Sequence, residues 1–135
     1  MKEDFSEEYI TYRIKNAKET LDSAKILITH SKWNSAINRL YYSCFYIVSA
    51  LLFKQGITAK THQGLRNQFN KHFILTGIFP KEFGELYSTL LDWRYQGDYG
   101  DLFDFSEDQV LPMLSFTEGF LLQAESYLFM DKIAP

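Results

Sequence analysis

Asn34-Ser35-Ala36-Ile37-Asn38-Arg39-Leu40-Tyr41-Tyr42-Ser43-Cys44-Phe45-Tyr46-Ile47-Val48-Ser49-Ala50-Leu51-Leu52 is the stretch on which the fold turns. With Trp33 before it, the positions Trp33, Ile37, Leu40, Cys44, Val48 and Leu51 recur at steps of three and four, one stripe of an α-helix. Tyr41, Phe45, Ile47 and Leu52 make the other faces apolar too, so this helix is buried on most sides and is the central one. Its uncharged run, Leu40 to Phe53, is 14 residues long and holds three tyrosines and two serines. A membrane span needs about 20 mostly apolar residues, so the reading is a core helix rather than a span.

Working outward, Ile10, Ile14, Ala17, Leu21, Ala24 and Ile28 repeat the spacing and predict a first helix from Ser6 to Ser31. Gly56 reads as the stop of the central helix, because glycine accepts the left-handed conformation that closes helices. Thr61 caps a short third helix that carries Leu65, Phe69, Phe73 and Ile74 and ends near Thr76-Gly77. Pro80 opens a fourth, with Phe83, Leu86, Leu90 and Trp93 as its stripe. The segment Gly97-Asp98-Tyr99-Gly100-Asp101 has turn chemistry, so that helix is expected to loosen at Gly97 and leave a loop after Arg94. Ser106 with Gln109 matches a capping box, and Phe105 with Val110 a hydrophobic staple, at the start of the last helix. Pro112 predicts a kink or restart near Leu111. The fold class is all-α: a single domain over residues 1–135 built as an up-and-down bundle of four long helices and one short one.

Composition agrees with a packed domain: 135 residues suit one core, and 46% hydrophobic against 23% charged residues argues against wholesale disorder. A single cysteine, Cys44, removes any internal disulfide or cysteine-based zinc site, and at mid-helix it reads as an inert core residue. The acidic opening Met1-Lys2-Glu3-Asp4 lacks the apolar run of an export signal, so the expected location is cytoplasmic, with no membrane partner. The net charge of −3 conceals a gradient: Ser23 to Lys81 is +8 without one Asp or Glu, Glu82 to Pro135 is −9, and Met1 to Asp22 is −2. Either folding interleaves these regions into a mixed surface, or the middle third faces phosphate through Lys54, Lys60, Arg66 and Lys71.

Three strings, at the starts and ends of these helices, resemble the HEPN domain, a helical bundle widespread in prokaryotes. Asn34 to Tyr42 is similar to the Asn-Arg-x-Tyr-Tyr opening of the second helix in one HEPN subfamily; Lys60-Thr61-His62-Gln63-Gly64-Leu65 to its Lys-Thr-His-x-Gly-Leu; and Arg94-Tyr95-Gln96-Gly97-Asp98-Tyr99-Gly100-Asp101 to its Arg-x-x-x-Asp-Tyr-x-Asp. The resemblance covers Ser6 to Leu128. It implies a role in RNA metabolism, since many HEPN proteins are metal-independent endoribonucleases of toxin–antitoxin, defence or stress systems. No cofactor or metal is called for. The nuclease members carry an Arg, four to six intervening residues and then a His, and those residues from two protomers meet across a homodimer groove. Here Arg94 holds the Arg position and Tyr99 stands where the His belongs, so the nuclease motif is degenerate. A tyrosine, with an ordinary pKa of about 10, is a poor base at neutral pH. The alternative is a non-catalytic partner module of a minimal nucleotidyltransferase.

The candidate site residues are therefore Arg94 and Tyr99 for chemistry, with Asn38, Arg39, Tyr42, Lys60, His62 and Asp98 for binding RNA or a nucleotide. Asn38 and Tyr42, one turn apart, share a face that Arg39 adjoins; they form either a groove floor or a network tying the central helix to the Arg94–Tyr99 segment. His62, at a helix start, either reaches a phosphate or serves packing. Arg66 and His72 have the nuclease spacing, but six residues on an α-helix point them apart. Asp98, Asp101 and Asp104 lack the ligand count of a calcium loop and read as a solvated acidic loop.

Overall fold

The computed structural model describes residues 2–130, so Met1 and the last five residues of the chain lie outside the described part. Five α-helices follow one another: α1 (Lys2–Thr29), α2 (Trp33–Lys54), α3 (His62–Phe69), α4 (Lys81–Tyr99) and α5 (Glu107–Leu128). Four are long and one is short, as the periodicity predicts. α2 packs against all the others and lies between α1 and α4. Its length and hydropathy would suffice for a membrane span, yet most of it is buried against protein. Ala17 and Ala24 of α1 and Ala36 of α2 are fully buried, and the Ser43 hydroxyl donates to the Ala17 carbonyl at 2.8 Å, so small residues let α1 and α2 approach closely.

The helix ends follow local chemistry. Gly56 (φ +73) closes α2 in a Schellman motif: its own N–H reaches the Phe53 carbonyl and the N–H of Ile57 reaches that of Leu52, both at 2.9 Å. Ser31 (φ 57) closes α1 the same way, bonding Ile28 while Lys32 bonds Leu27. The Thr61 hydroxyl accepts from Gly64 N–H at 2.9 Å to start α3. The capping box at α5 is formed, with Ser106 N–H donating to Gln109 Oε1 at 3.0 Å, and Phe105 and Val110 beside it are buried.

Three local expectations are corrected. α1 begins by Lys2 rather than at Ser6. α4 does not loosen at Gly97 but continues to Tyr99, and the chain leaves the helix at Gly100. The reason is tertiary: a Cβ at Gly97 would sit 3.0 Å from the Phe105 ring, so glycine makes room for an aromatic that covers the helix, and Asp98 is held by Asn38. Nor does α5 restart at Pro112; the helix is continuous through it. Pro112 and Asp108 are both exposed, so the carbonyl that proline leaves without a donor faces water.

A further element escapes periodicity. After Phe69 the third helix widens into a π-helical turn, Asn70–Ile74, in which Leu75 N–H reaches back to the Asn70 carbonyl at 2.9 Å. The extra residue per turn buries both Phe69 and Phe73 fully and lays Ile74 against Gly84, where a Cβ would come within 3.1 Å. Phe69 is the hub, with ring centroids 5.6 to 6.4 Å from those of Phe73, Phe79, Tyr87 and Phe120. Phe69→Ala is expected to lower stability by about 3–5 kcal/mol in urea denaturation, whereas Gly56→Ala, which meets open space but a strained φ, should cost about 1–2 kcal/mol. Equal losses would contradict the placement of Phe69 at the centre.

Candidate functional site

The polar residues of α2 build the site. Asn38, Tyr41 and Tyr42 share one face of the helix, turned toward the end of α4 and the start of α3. Asn38 Nδ2 donates to Asp98 Oδ2 at 2.9 Å, and Asn38 Oδ1 accepts from Arg39 Nε at 3.0 Å and Nη2 at 2.7 Å. One amide thus links a carboxylate on α4 to a guanidinium on α2. The Arg39 guanidinium carbon stands 5.2 Å from the Tyr42 ring centroid. Arg94, from α4, stands 5.1 Å from the Tyr41 ring and 5.9 Å from the Tyr42 ring. Its Nε is buried without a hydrogen-bond partner, and no carboxylate lies within ion-pair distance of Arg39, Arg66 or Arg94 among the described residues.

His62 completes the cluster from the first turn of α3. Its Nδ1 lies 2.6 Å from the Tyr41 hydroxyl, and the Tyr41 ring stacks on that of Tyr87 at 5.7 Å, the planes within 1° of parallel. Burial, above all, pushes the Tyr41 hydroxyl up to about 12, so it keeps its proton. It therefore donates to an unprotonated Nδ1, leaving the proton of neutral His62 on Nε2. His62 itself is held below its ordinary pKa, first by desolvation and second by the positive charge of Arg94.

Asn38, Arg39, Asp98 and Tyr99 line an open pocket of about 640 Å³. Asn34 lines it too and clamps the chain after α4, donating to the Phe103 carbonyl and accepting from Phe105 N–H, each at 2.8 Å. Of the sequence candidates, Asn38, Arg39, Tyr42, His62, Arg94 and Asp98 are brought together. Tyr99 stands at their edge, 68% exposed, with its ring 5.1 Å from that of Tyr95. Lys60 is not in the cluster; it lines a different cavity on the far side of the α2–α3 connection, which His62 also borders. Both Tyr41, which orients His62, and Asn34, the clamp, lie inside the Asn34–Tyr42 string, which by itself gives neither a role of its own. For Tyr41 the signal lies in its place on an apolar face, since a buried tyrosine needs a partner for its hydroxyl.

The other candidates resolve simply. Arg66 and His72 do not meet; Arg66 Nη2 donates to Asn67 Oδ1 at 3.3 Å and His72 Nε2 lies 3.1 Å from Gln68 Oε1. Cys44 is fully buried with its thiol pushed up to about 12 by burial, the state of an inert thiol. Among the described residues no group of three His, Cys, Asp or Glu side chains is arranged to hold a metal. Two lysines of the basic middle third are engaged by the acidic third: Lys25 pairs with Glu118 at 3.0 Å, and Lys54 Nζ donates to the Leu128 carbonyl at the end of α5 at 2.8 Å.

Comparison with known proteins agrees with this architecture. The model of the HEPN domain family matches residues 10–127. A UPF0332 protein of Thermotoga maritima is 42% identical over 115 residues, 85% of this chain and 87% of that protein. Two proteins of Methanocaldococcus jannaschii, named "Putative toxin MJ0142" and "Putative toxin MJ0605", are each 29% identical. These alignments cover 89% and 93% of this chain, and 82% and 87% of the relatives.

The electrostatics of His62 can be read directly. In an NMR titration its imidazole should have a pKa below 6.5, and Arg94→Gln should raise that value only partway, because the desolvation remains. Since the folded state resists protonation more than the unfolded chain does, stability should decline as pH falls below about 6.5 and level off once the folded-state pKa is passed. A His62 pKa at or above 6.5 would contradict this geometry.

Proposed function

The chain belongs to the HEPN family, and from that premise we propose that it binds the phosphates of RNA or a nucleotide in a toxin–antitoxin, defence or stress system, with a degenerate nuclease motif. One observation carries the reading: the Arg94 guanidinium rests on Tyr41 and Tyr42 with its Nε buried and unpartnered, beside Arg39 and without a carboxylate. A half-buried cation with a sequestered Nε and no carboxylate partner is suited to an anion, and a guanidinium presents a fork that matches phosphate. The pocket walled by Arg39 and Asn38 has room for a base and sugar next to it. The names of the M. jannaschii relatives agree with a toxin-like setting.

Catalysis by the Arg94–Tyr99 pair is disfavoured on geometry as well as chemistry. Tyr99 turns to Tyr95 and solvent, while the base nearest Arg94 is His62, whose Nδ1 is occupied by Tyr41. A general base must reach the proton that it removes. The second reading, a non-catalytic partner module of a minimal nucleotidyltransferase, is favoured by the exposed Tyr95, Tyr99, Leu102 and Phe103 beside the pocket, an apolar rim suited to a protein partner. In either case the proposed assembly is a symmetric homodimer through α2 and α4; light scattering at micromolar concentration should give the mass of a dimer, and a monomer would remove the composite groove.

With mixed cellular RNA and no added metal, the wild-type protein should bind without appreciable cleavage. Binding should fall steeply with salt, and both Arg94→Ala and Arg39→Ala should weaken it and flatten the salt slope. Tyr99→His should create or raise cleavage. Robust cleavage by the wild type, abolished by Arg94→Ala, would overturn the non-cutting reading, and binding indifferent to both arginines would overturn the site.

A further inference from the structure

A second cavity, which Arg94 does not line, lies among α1, α2 and the start of α3, with a volume of about 240 Å³. Its floor is apolar, with Leu52 and Leu65 both buried. Its walls are aromatic: the Tyr9 and Phe53 rings lie 4.2 Å apart, and Phe45 lies 5.2 Å from the imidazole of His62. At its edges stand two cations, Arg13 and Lys60, and among the lining residues there is no Asp or Glu.

Arg13 is held in place. Its Nε donates to the Tyr9 hydroxyl at 3.0 Å, and its guanidinium carbon lies 5.1 Å from the Tyr9 ring and 5.3 Å from that of Tyr46. That contact uses one of the five N–H donors of a guanidinium; the others have no partner among the described residues. Lys60 is exposed at the rim and makes neither an ion pair nor a hydrogen bond with its side chain among the described residues. The Thr61 hydroxyl, beside it, accepts from Gly64 N–H and keeps its own proton to donate. The cavity is thus an apolar slot whose fixed and mobile donors all favour negative charge, and whose positive charge nothing in its walls neutralises.

We infer that this cavity binds a small organic anion with an apolar body, its carboxylate or phosphate head between Arg13 and Lys60 and its ring or branched chain against Phe45, Phe53 and Leu65. The division of labour follows from the lining: a few placed polar groups fix orientation while apolar walls supply burial. A bare anion would leave the aromatic walls in water, and a neutral molecule would leave both cations uncompensated. The inference stands apart from the Arg94 site, since the cavity shares only His62 with it.

The test is a titration of the full chain followed by methyl NMR at Leu52 and Leu65. The probes are hydrocinnamate, phenyl phosphate, inorganic phosphate and the neutral hydrocinnamamide. Hydrocinnamate, phenyl phosphate or both should shift these methyls saturably, which identifies the head group, while inorganic phosphate and the amide should bind at least tenfold more weakly. Lys60→Gln and Arg13→Gln should each weaken binding about tenfold, as loss of one charge-assisted hydrogen bond would, and Lys81→Gln should leave it unchanged. Ala59→Leu, which fills the slot without altering charge, should abolish binding in a protein whose spectrum is otherwise folded. The inference is overturned if neither organic anion binds, if the amide or bare phosphate binds as well as they do, or if binding persists in both Lys60→Gln and Ala59→Leu.

Discussion

α2 packs against every other helix, and four polar side chains along it carry bonds to the rest of the fold. Each is satisfied by a different element. Ser43 bonds the backbone of α1, Tyr41 bonds His62 at the start of α3, Asn38 bonds Asp98 in the last turn of α4, and Asn34 holds the Phe103–Phe105 strand of chain that leads into α5. An unmet buried donor or acceptor costs about 1–3 kcal/mol, so the bonds of the fully buried Ser43 and Tyr41 help fix where α1 and α3 sit, while those of the half-buried Asn34 and Asn38 orient the end of α4 and the chain after it nearer the surface. The register of the bundle is set by polar contacts along its most apolar helix.

The same constraint leaves the cations exposed to one another. Two carboxylates of the acidic third, Glu118 and Glu125, reach α1 at Lys25 and Lys18, and the carboxylate at the cluster, Asp98, is taken by Asn38. Arg94 is left on two aromatic faces, Arg39 on one of them, and His62 is kept neutral beside them by burial and by Arg94. Aromatic faces support a guanidinium without neutralising it, which is the basis of the proposed phosphate site.

The apolar periodicities made the helices legible, since each stripe from Ile10 to Trp93 appears in the core or against it; on the last helix Leu114, Leu121 and Leu128 do so too, but Leu122, at the same periodic spacing, is exposed. Gly56, Thr61 and Ser106 marked ends correctly because capping is a local matter of one or two hydrogen bonds. Gly97 misled for the opposite reason, its local preference being overridden by Phe105 packing, and Pro112 at its exposed position leaves the helix continuous rather than restarting it. The π-helical turn left no trace in a three-and-four pattern, because it exists to fit Phe69, Phe73 and Ile74 to partners distant in sequence. Six of the site candidates were found together because they lie in short strings around helix ends, but the separation of Lys60 from Arg94 depends on how α3 docks, which no string encodes.

The central claim is that Arg94 is an unneutralised cation awaiting phosphate. Its most direct test is a crystal structure of the protein with uridine monophosphate bound. The account predicts phosphate oxygens within hydrogen-bonding distance of the Arg94 guanidinium, with Arg39 in the same shell and the base in the pocket bordered by Asn38 and Tyr99. A nucleotide whose phosphate sits on surface lysines, with Arg94 still bare over Tyr41 and Tyr42, would contradict it.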